Sequence, residues 1–394
     1  MLKKCNFLTK KSMISRKVII TTSARLHFNS LKMNQSGGRG CGGIGLTLNK
    51  PVLKLEFTHN KKISVLGGDD YIKNKVINFA RGIIKKLKVS SGVKIEIKKS
   101  FPSHIGLGSG TQLGLGVGKG VSLLFKKNIP LNEIAFVNKR AGISGIGFYS
   151  FMFGGLIVDG GYRMGPFEDK KTFGDHASHP PPLIGKYKFP KNWKIILITP
   201  SLSTSKCELN ESEIFIKNTP VLLSDVEAIC TNTLMGLIPS LLEEKYFEFI
   251  DNLFDVVRLG TKKIELELNR KYLFEVTNLL SNLLVFKWKR LGRYKYILVS
   301  DQQKISHKKM DDCLDPTKRY KVKKDFILSN RKFFKNRLPF IGVSSLGPAM
   351  YSILLDGFHD VDYLLRETQQ KLGRGWNVEI VSARNNSCFC KVVK

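Results

Sequence analysis

The residues best suited to chemistry form one short run, Pro102-Ser103-His104-Ile105-Gly106-Leu107-Gly108-Ser109-Gly110-Thr111-Gln112. Gly106, Gly108 and Gly110 let a backbone come close to a ligand, and the hydroxyls of Ser109 and Thr111 add donors. Placed between a strand and a helix, such a loop aims free N–H groups and the positive end of the helix dipole at an anion. Tight packing alone would account for the glycines but not for the Ser-Gly-Thr-Gln cluster at the helix start. There is no Gly-Lys-Ser/Thr ending and no dinucleotide fingerprint, so neither a Walker loop nor a Rossmann turn is indicated.

These residues need elements to hold them. Val93, Ile95 and Ile97 alternate with polar residues as in a strand, and Leu113, Val117, Val121 and Leu124 form the apolar stripe of a helix. Gly110, Gly114 and Gly118 make a second, bare face for close packing. Val18–Thr22 predicts a strand that runs into Ala24-Arg25-Leu26-His27-Phe28. The segment Ser36–Gly45 is too glycine-rich for a regular strand interior, with strands following at Leu46–Leu48 and Val52–Thr58. Helices are predicted over Tyr71–Leu87 and Leu131–Arg140, and a helical region over Asn210–Leu284, broken near Pro239 and Gly260. The buried strand Ile195–Thr199, ended by Pro200, marks the expected domain boundary. Gly342–Pro348 is expected to lead into a helix, then a second helix at Val361–Leu372 and a last strand at Val378–Ser382. The organisation expected is a basic, disordered tail at 1–17, one domain at 18–200 and a second at 201–394, with a basic insertion at 301–337.

The chain has 394 residues, enough for two domains. Its net charge is +33, from 65 Lys plus Arg against 32 Asp plus Glu. Such an excess suits polyanions, but AT-rich coding yields the same Lys-, Ile-, Asn- and Phe-rich composition, so charge alone selects no partner. The seven cysteines are scattered without a CxxC pair, which argues against a disulfide framework or a zinc site and for a reducing cytoplasm. No apolar run reaches the roughly 18 residues of a membrane span.

The loop resembles the phosphate loop of the GHMP superfamily, whose kinases carry Pro-x-x-x-Gly-Leu-Gly-Ser-Ser. Gly142–Gly147 with Gly154-Gly155 resembles the second signature block, and Gly342–Tyr351 the C-terminal glycine motif. In the kinases the second block reads Ser-Gly-x-Asp, and that aspartate prepares the attacking hydroxyl. Here the position is Gly147, which cannot act as a base. Ser144–Gly147, Phe151, Gly154-Gly155, Ile157–Gly161, Ala24–Phe28 with Gly43-Ile44-Gly45, the His176–Leu183 segment with its three prolines, and Ser344–Tyr351 together resemble one branch, beta-ribofuranosylaminobenzene 5'-phosphate synthase. Val343 and Leu346 depart from that branch, which has glutamine and tryptophan there.

The resemblance implies an α+β, two-domain GHMP-kinase-like fold: an N-terminal α/β domain with a left-handed crossover type phosphate loop, and a ferredoxin-like C-terminal α/β domain. It implies condensation of 4-aminobenzoate or 4-hydroxybenzoate with phosphoribosyl pyrophosphate, releasing CO2 and pyrophosphate, on the way to tetrahydromethanopterin. On that basis Gly106, Gly108, Ser109, Gly110, Thr111 and Gln112 are expected to bind pyrophosphate, with Ser344, Ser345 and Gly347 closing the pocket. Arg25, His27 and Asp159 are the catalytic candidates, Arg39 a phosphate or carboxylate contact, and His104, His176, Glu211 and Glu213 weaker candidates. Mg2+ is the expected metal, with no organic cofactor. The expected partners are these small substrates and a second copy of the chain in a homodimer, without membrane or nucleic acid. A small-molecule GHMP kinase using Asp159, and a basic nucleic-acid-binding protein, are the competing readings.

Overall fold

Burial alternates at the start of β1 (Lys17–Lys32) and over the second half of β2 (Arg39–Asn60), while residues 40–48 are buried throughout; the two long strands pair antiparallel for most of their length. They belong to a computed structural model that describes residues 16–33, 38–141, 144–163, 179–201, 219–283, 286–292, 295–300, 341–357 and 359–393. β3 (Ser64–Leu66), α1 (Asp70–Leu87), β4 (Gly92–Lys99), α2 (Ser109–Leu124), α3 (Leu131–Val137) and α4 (Ile146–Met152) follow. Next come β5 (Leu156–Asp159), β6 (Tyr162–Arg163), β7 (Leu183–Tyr187) and β8 (Trp193–Pro200). Helix α5 (Leu223–Thr231) passes through a π turn at Asn232–Leu237 into α6 (Ile238–Leu242), then α7 (Tyr246–Val256), α8 (Lys262–Leu268) and α9 (Arg270–Leu283). The chain ends in the hairpin β9 (Phe286–Gly292) and β10 (Lys295–Ser300), then β11 (Gly342–Val343), β12 (Met350–Leu355), α10 (Val361–Leu372), β13 (Trp376–Ser382) and β14 (Phe389–Val393).

Two sheets organise these elements. The larger has the path β14-β1-β2-β4-β3, with β5 and β6 joined to the N-terminal part of β2 and β7 joined to β5. The smaller is β11-β12-β8-β13, antiparallel throughout. α2 lies on the larger sheet through bare positions: a Cβ on Gly116 would meet Leu55 at 3.4 Å, and one on Gly120 would meet the Phe57 ring at 2.2 Å. A continuous apolar core runs from Ile20, Leu26 and Phe57 through Trp193 and Phe249, which ties the helices α5–α7 to both sheets.

Four expectations need correction. The boundary at Pro200 does not separate the sheets, because β8 is a central strand of the smaller sheet and β14 returns from the C-terminus to the larger one. The run Ser36–Gly45 is not excluded from a strand: β2 begins at Arg39, and its glycines are needed because a Cβ on Gly45 would lie 2.3 Å from the Leu26 carbonyl. Pro348 is followed by β12 rather than a helix. Its six residues are apolar except Ser352 and nearly all buried, a run too short to show any period. Lys17, assigned to the tail, is the first residue of β1, its amine on Glu56 at 2.6 Å. Residues 1–15 of the tail and the insertion at 301–337 lie outside the described residues.

Candidate functional site

β1 positions two of the three catalytic candidates. Register shifts between Ser23 and Arg25 and between His27 and Asn29 bracket the segment, and such bulges re-aim side chains. Arg25 and His27, two residues apart, share a face. The Arg25 N–H donates to Leu107 O at 3.1 Å, and its guanidinium donates to Gly106 O. Gly108 is in the left-handed region (φ +78°), and a Cβ there would touch the Arg25 guanidinium at 3.1–3.2 Å. Arg25 therefore lies directly beneath the glycine loop.

The C-terminal motif locks onto the same loop. Ser344 is fully buried; its hydroxyl donates to Gly106 O at 2.7 Å and accepts the His27 N–H at 3.0 Å. The Ala349 N–H donates to Ile105 O at 3.1 Å, and that of Ser345 to His27 O at 3.4 Å. Gly106, at φ +83°, would put a Cβ 1.9 Å from Ser344 O, so no other residue fits. Ser344 is thus a tie between loop and strand. Ser345 and Gly347 flank it, Gly347 packed so closely on Asn269 that a Cβ would lie 2.5 Å from the amide oxygen.

Gly106, Gly108, Ser109, Gly110 and Thr111 are half-buried at the start of α2, a helix with no acidic residue in its first turn and no side-chain cap. Gln112, expected to face the anion, is fully buried: its carbonyl accepts from Thr22, and its amide donates to Gly147 O at 2.8 Å. It holds α2 to β1 and α4 instead. Gly147 packs against Thr111, whose Cγ2 would lie 3.0 Å from an added Cβ. The Thr111 methyl thus lies against Gly147, the position at which the resemblance would place a kinase carboxylate.

Asp159 closes β5 with no exposure, accepting from the N–H groups of Gly161 and Gly145 at 3.0 Å each. Burial lifts its carboxyl to about 7 against the pull of those two donors. His27 is buried too; desolvation, then the charges of Arg25 and Lys262, hold its imidazole well below the usual range. Both groups converge on Gly43, where an added Cβ would sit 3.2 Å from Asp159 Oδ2 and 3.4 Å from His27 Nε2. Ile146 Cγ1 crowds the same point at 3.1 Å, so glycine is the residue that fits there. The His27 Nδ1 has no hydrogen-bond partner. Arg39 braces the turn after Asp159, donating to Gly160 O at 3.0 Å and Gly161 O at 2.8 Å.

Two further groups carry no motif in the sequence. Arg140 stacks its guanidinium 5.3 Å from the Phe79 ring centroid and lies 3.6–3.7 Å from the Cβ position of Gly110. With Arg25 it puts a guanidinium on each side of the loop. Lys262 is fully buried on α8, bonded to the Glu265 carboxylate and to Val343 O at 2.8 Å. Desolvation lowers its ammonium, with Glu265 opposing. His104 stands apart, exposed at the loop's lip with Nε2 2.6 Å from the Tyr71 hydroxyl. His176, Glu211 and Glu213 lie outside the described residues. Among the described residues no three His, Cys, Asp or Glu side chains converge to hold a metal, and no helix is long and apolar enough to cross a membrane.

Known proteins share this architecture. The model of the GHMP kinases N terminal domain matches residues 74–155, from α1 through the loop to Gly155. The chain is 36% identical over 275 residues to beta-ribofuranosylphenol 5'-phosphate synthase of Methanocaldococcus jannaschii, covering 66% of this chain and 83% of that protein. The protein of the same name from Methanothermobacter thermautotrophicus is 33% identical over 261 residues, covering 64% and 78%. Homoserine kinase from Cytophaga hutchinsonii superposes with a TM-score of 0.53 over 97% of this chain and 99% of its own, at 13% identity. A sugar kinase from Campylobacter jejuni does so at 0.56 over 96% and 98%, at 12% identity. At such identities the two structures speak for the fold alone.

Proposed function

This chain belongs to the beta-ribofuranosylphenol 5'-phosphate synthase family, and from that premise we propose that it joins 4-hydroxybenzoate to phosphoribosyl pyrophosphate through a carbon–carbon bond. The relatives are named for a phenol product. Loss of the carboxyl from 4-hydroxybenzoate leaves a phenol, whereas 4-aminobenzoate would leave an aniline, so the hydroxy acid is the better fit. In the proposed reaction the ring carbon bearing the carboxylate attacks the ribosyl carbon as pyrophosphate departs. The carboxylate then leaves as CO2, and its bonding electrons restore the aromatic ring. The product is a C-riboside 5'-phosphate of the kind that methanopterin biosynthesis requires.

One observation carries this reading. The phosphate loop is intact, yet the kinase carboxylate is replaced by Gly147 packed on Thr111, while an imidazole and a carboxyl face the Gly43 space instead. The loop is suited to hold a leaving pyrophosphate, with N–H groups and the Ser109 and Thr111 hydroxyls in front and Arg25 and Arg140 at the sides. Charge on the departing group grows as the sugar–oxygen bond breaks, so fixed positive groups stabilise the transition state more than the ground state. Asp159 and neutral His27 are assigned the proton of the para hydroxyl: removing it enriches the ring carbon that attacks, and returning it completes the product. Any Mg2+ is assigned to the substrate's own phosphates.

The test is CO2 release from carboxyl-labelled 4-hydroxybenzoate and 4-aminobenzoate. Release that requires phosphoribosyl pyrophosphate and disappears in Ser109→Ala/Gly110→Val supports the reading. A folded protein that releases nothing from either acid, but consumes ATP with a small hydroxylated substrate, would overturn it in favour of a kinase.

A further inference from the structure

Cys388 and Cys390 lie at the start of β14, and the proposed synthase reaction makes no use of them. Residues i and i+2 of an extended segment point to the same side, and here the two sulfur atoms are 3.7 Å apart. Cys390 is exposed and Cys388 half-buried. Their hydrogen bond favours one thiolate: the Cys388 S–H holds the Cys390 sulfur down at about 7, and the nearby Lys119 ammonium on α2 acts in the same direction. By contrast, burial raises the thiol of the exposed Cys230 on α5 and, more strongly, that of Cys41.

We propose that Cys388 and Cys390 form a reversible dithiol–disulfide site that reacts with small disulfides of the glutathione class. The Cys390 thiolate attacks one sulfur of the small disulfide, forming a mixed disulfide and releasing one small thiolate. The Cys388 thiol, losing its proton to solvent, then attacks the Cys390 sulfur and releases the second. The protein is oxidised by two electrons, and the small disulfide is reduced to two thiols. Two strand steps span about 6.6–6.8 Å, at the upper limit of the Cα separation a disulfide accepts. The closed bond is therefore strained and readily reduced, as suits a labile disulfide rather than a structural one.

Its position gives closure a route into the fold. The Cys388 N–H donates to Phe151 O at 2.9 Å at the end of α4, the Arg384 guanidinium to Ser150 O at 3.1 Å, and the Gly155 N–H to Arg384 O at 2.7 Å. The segment carrying the thiols thus clasps the C-terminal end of the helix that presents Gly147 to Thr111.

The experiment treats the native full-length protein at pH 7 with oxidised glutathione and maps the seven cysteines by peptide mass. The expected product is the loss of two hydrogens from the peptide holding Cys388 and Cys390, without a lasting glutathione adduct. Cys390 should react at least about fivefold faster than Cys230, from the thiolate fractions offset by the lower nucleophilicity of the more acidic thiol. Cys388→Ser should stop at one glutathione on Cys390, and Cys390→Ser should slow the reaction at position 388 by a similar factor. A stable adduct on Cys390 in the unmutated protein, or equal rates at Cys390 and Cys230, would overturn the proposal. These outcomes are read by mass, so they stand or fall separately from the synthase reaction.

Discussion

Replacing Asp159 with asparagine should make the protein less stable in acid and more stable in mild base. The carboxyl is lifted from the usual 3.8 to about 7 by burial. Below about pH 4 the folded and unfolded states are both protonated there, and the group has no effect on the pH dependence. Between about 4 and 7 the unfolded chain loses the proton while the folded one keeps it, so stability falls as pH rises. Each decade is worth about 1.4 kcal/mol, which gives a total loss of roughly 4 kcal/mol by pH 8. The asparagine side chain does not titrate and escapes that loss. It does place an amide N–H2 against one of the two backbone donors, Gly145 or Gly161, that the carboxyl satisfied. That mismatch costs about 1–3 kcal/mol at every pH. The two stability curves therefore cross. Denaturant unfolding at pH 4, 6 and 8 should show the variant weaker by about 1–3 kcal/mol at pH 4 and stronger by a similar amount at pH 8. Turnover should report the same group: kcat/KM of the unmutated enzyme climbs through pH 7, and Asp159→Asn loses that limb with about 10²–10⁴ of the rate. A stability difference that stays constant from pH 4 to 8 would falsify the assignment of Asp159 as a carboxyl titrating near neutrality.

Arg140→Met should raise the KM for phosphoribosyl pyrophosphate by about 10–100-fold, the worth of a charged hydrogen bond. The KM for 4-hydroxybenzoate should change little; steady-state kinetics showing equal rises would remove Arg140 from the pyrophosphate site. Lys262→Met strands the buried Glu265 and should cost about 3–5 kcal/mol in urea unfolding, most of it recovered in Lys262→Met/Glu265→Leu. A double variant no better than the single would mean that the lysine's bond to Val343 O carries the effect. Gly147→Asp forces a side chain to within 3.0 Å of Thr111 and should lower CO2 release at least about tenfold while creating no phosphotransfer from ATP, since overpacking displaces the loop residue. Appearance of ATP-dependent phosphorylation would restore the kinase reading.

Much of this site lies in local runs of sequence, and that part was legible. The loop, Arg25 with His27, Asp159 with its glycines, and Ser344-Ser345 each sit in a motif, and the fold brings them together. Arg140 and Lys262 have no such signature. Arg140 lies three residues beyond the end of α3, and only the stacking of α1, α2 and α3 brings it to Gly110. Lys262 and Glu265 lie in no motif, and Lys262 is buried with its ammonium bonded to Val343 O of the C-terminal motif. Gln112 misleads in the opposite direction: chain position puts it among the expected anion-binding residues, while the helical twist carries its side chain to Thr22 and Gly147 O. Strand errors have the same origin. Gly43 and Gly45 weaken local β propensity, yet crowding by Leu26, His27 and Ile146 makes glycine the residue that fits.

β14 completes the larger sheet on the outer edge of β1, with Val393 opposite Lys17. The strand that bears Arg25 and His27 therefore gains one of its two neighbours only after every residue from 33 to 388 has been synthesised. On the ribosome β1 and β2 must wait with a bare edge exposed, a topology with slow, long-range closure and a standing risk of pairing with other chains. A chain cut short before Phe389 would leave the ribosome with that edge still open, and so would be a substrate for chaperones before it was ever an enzyme.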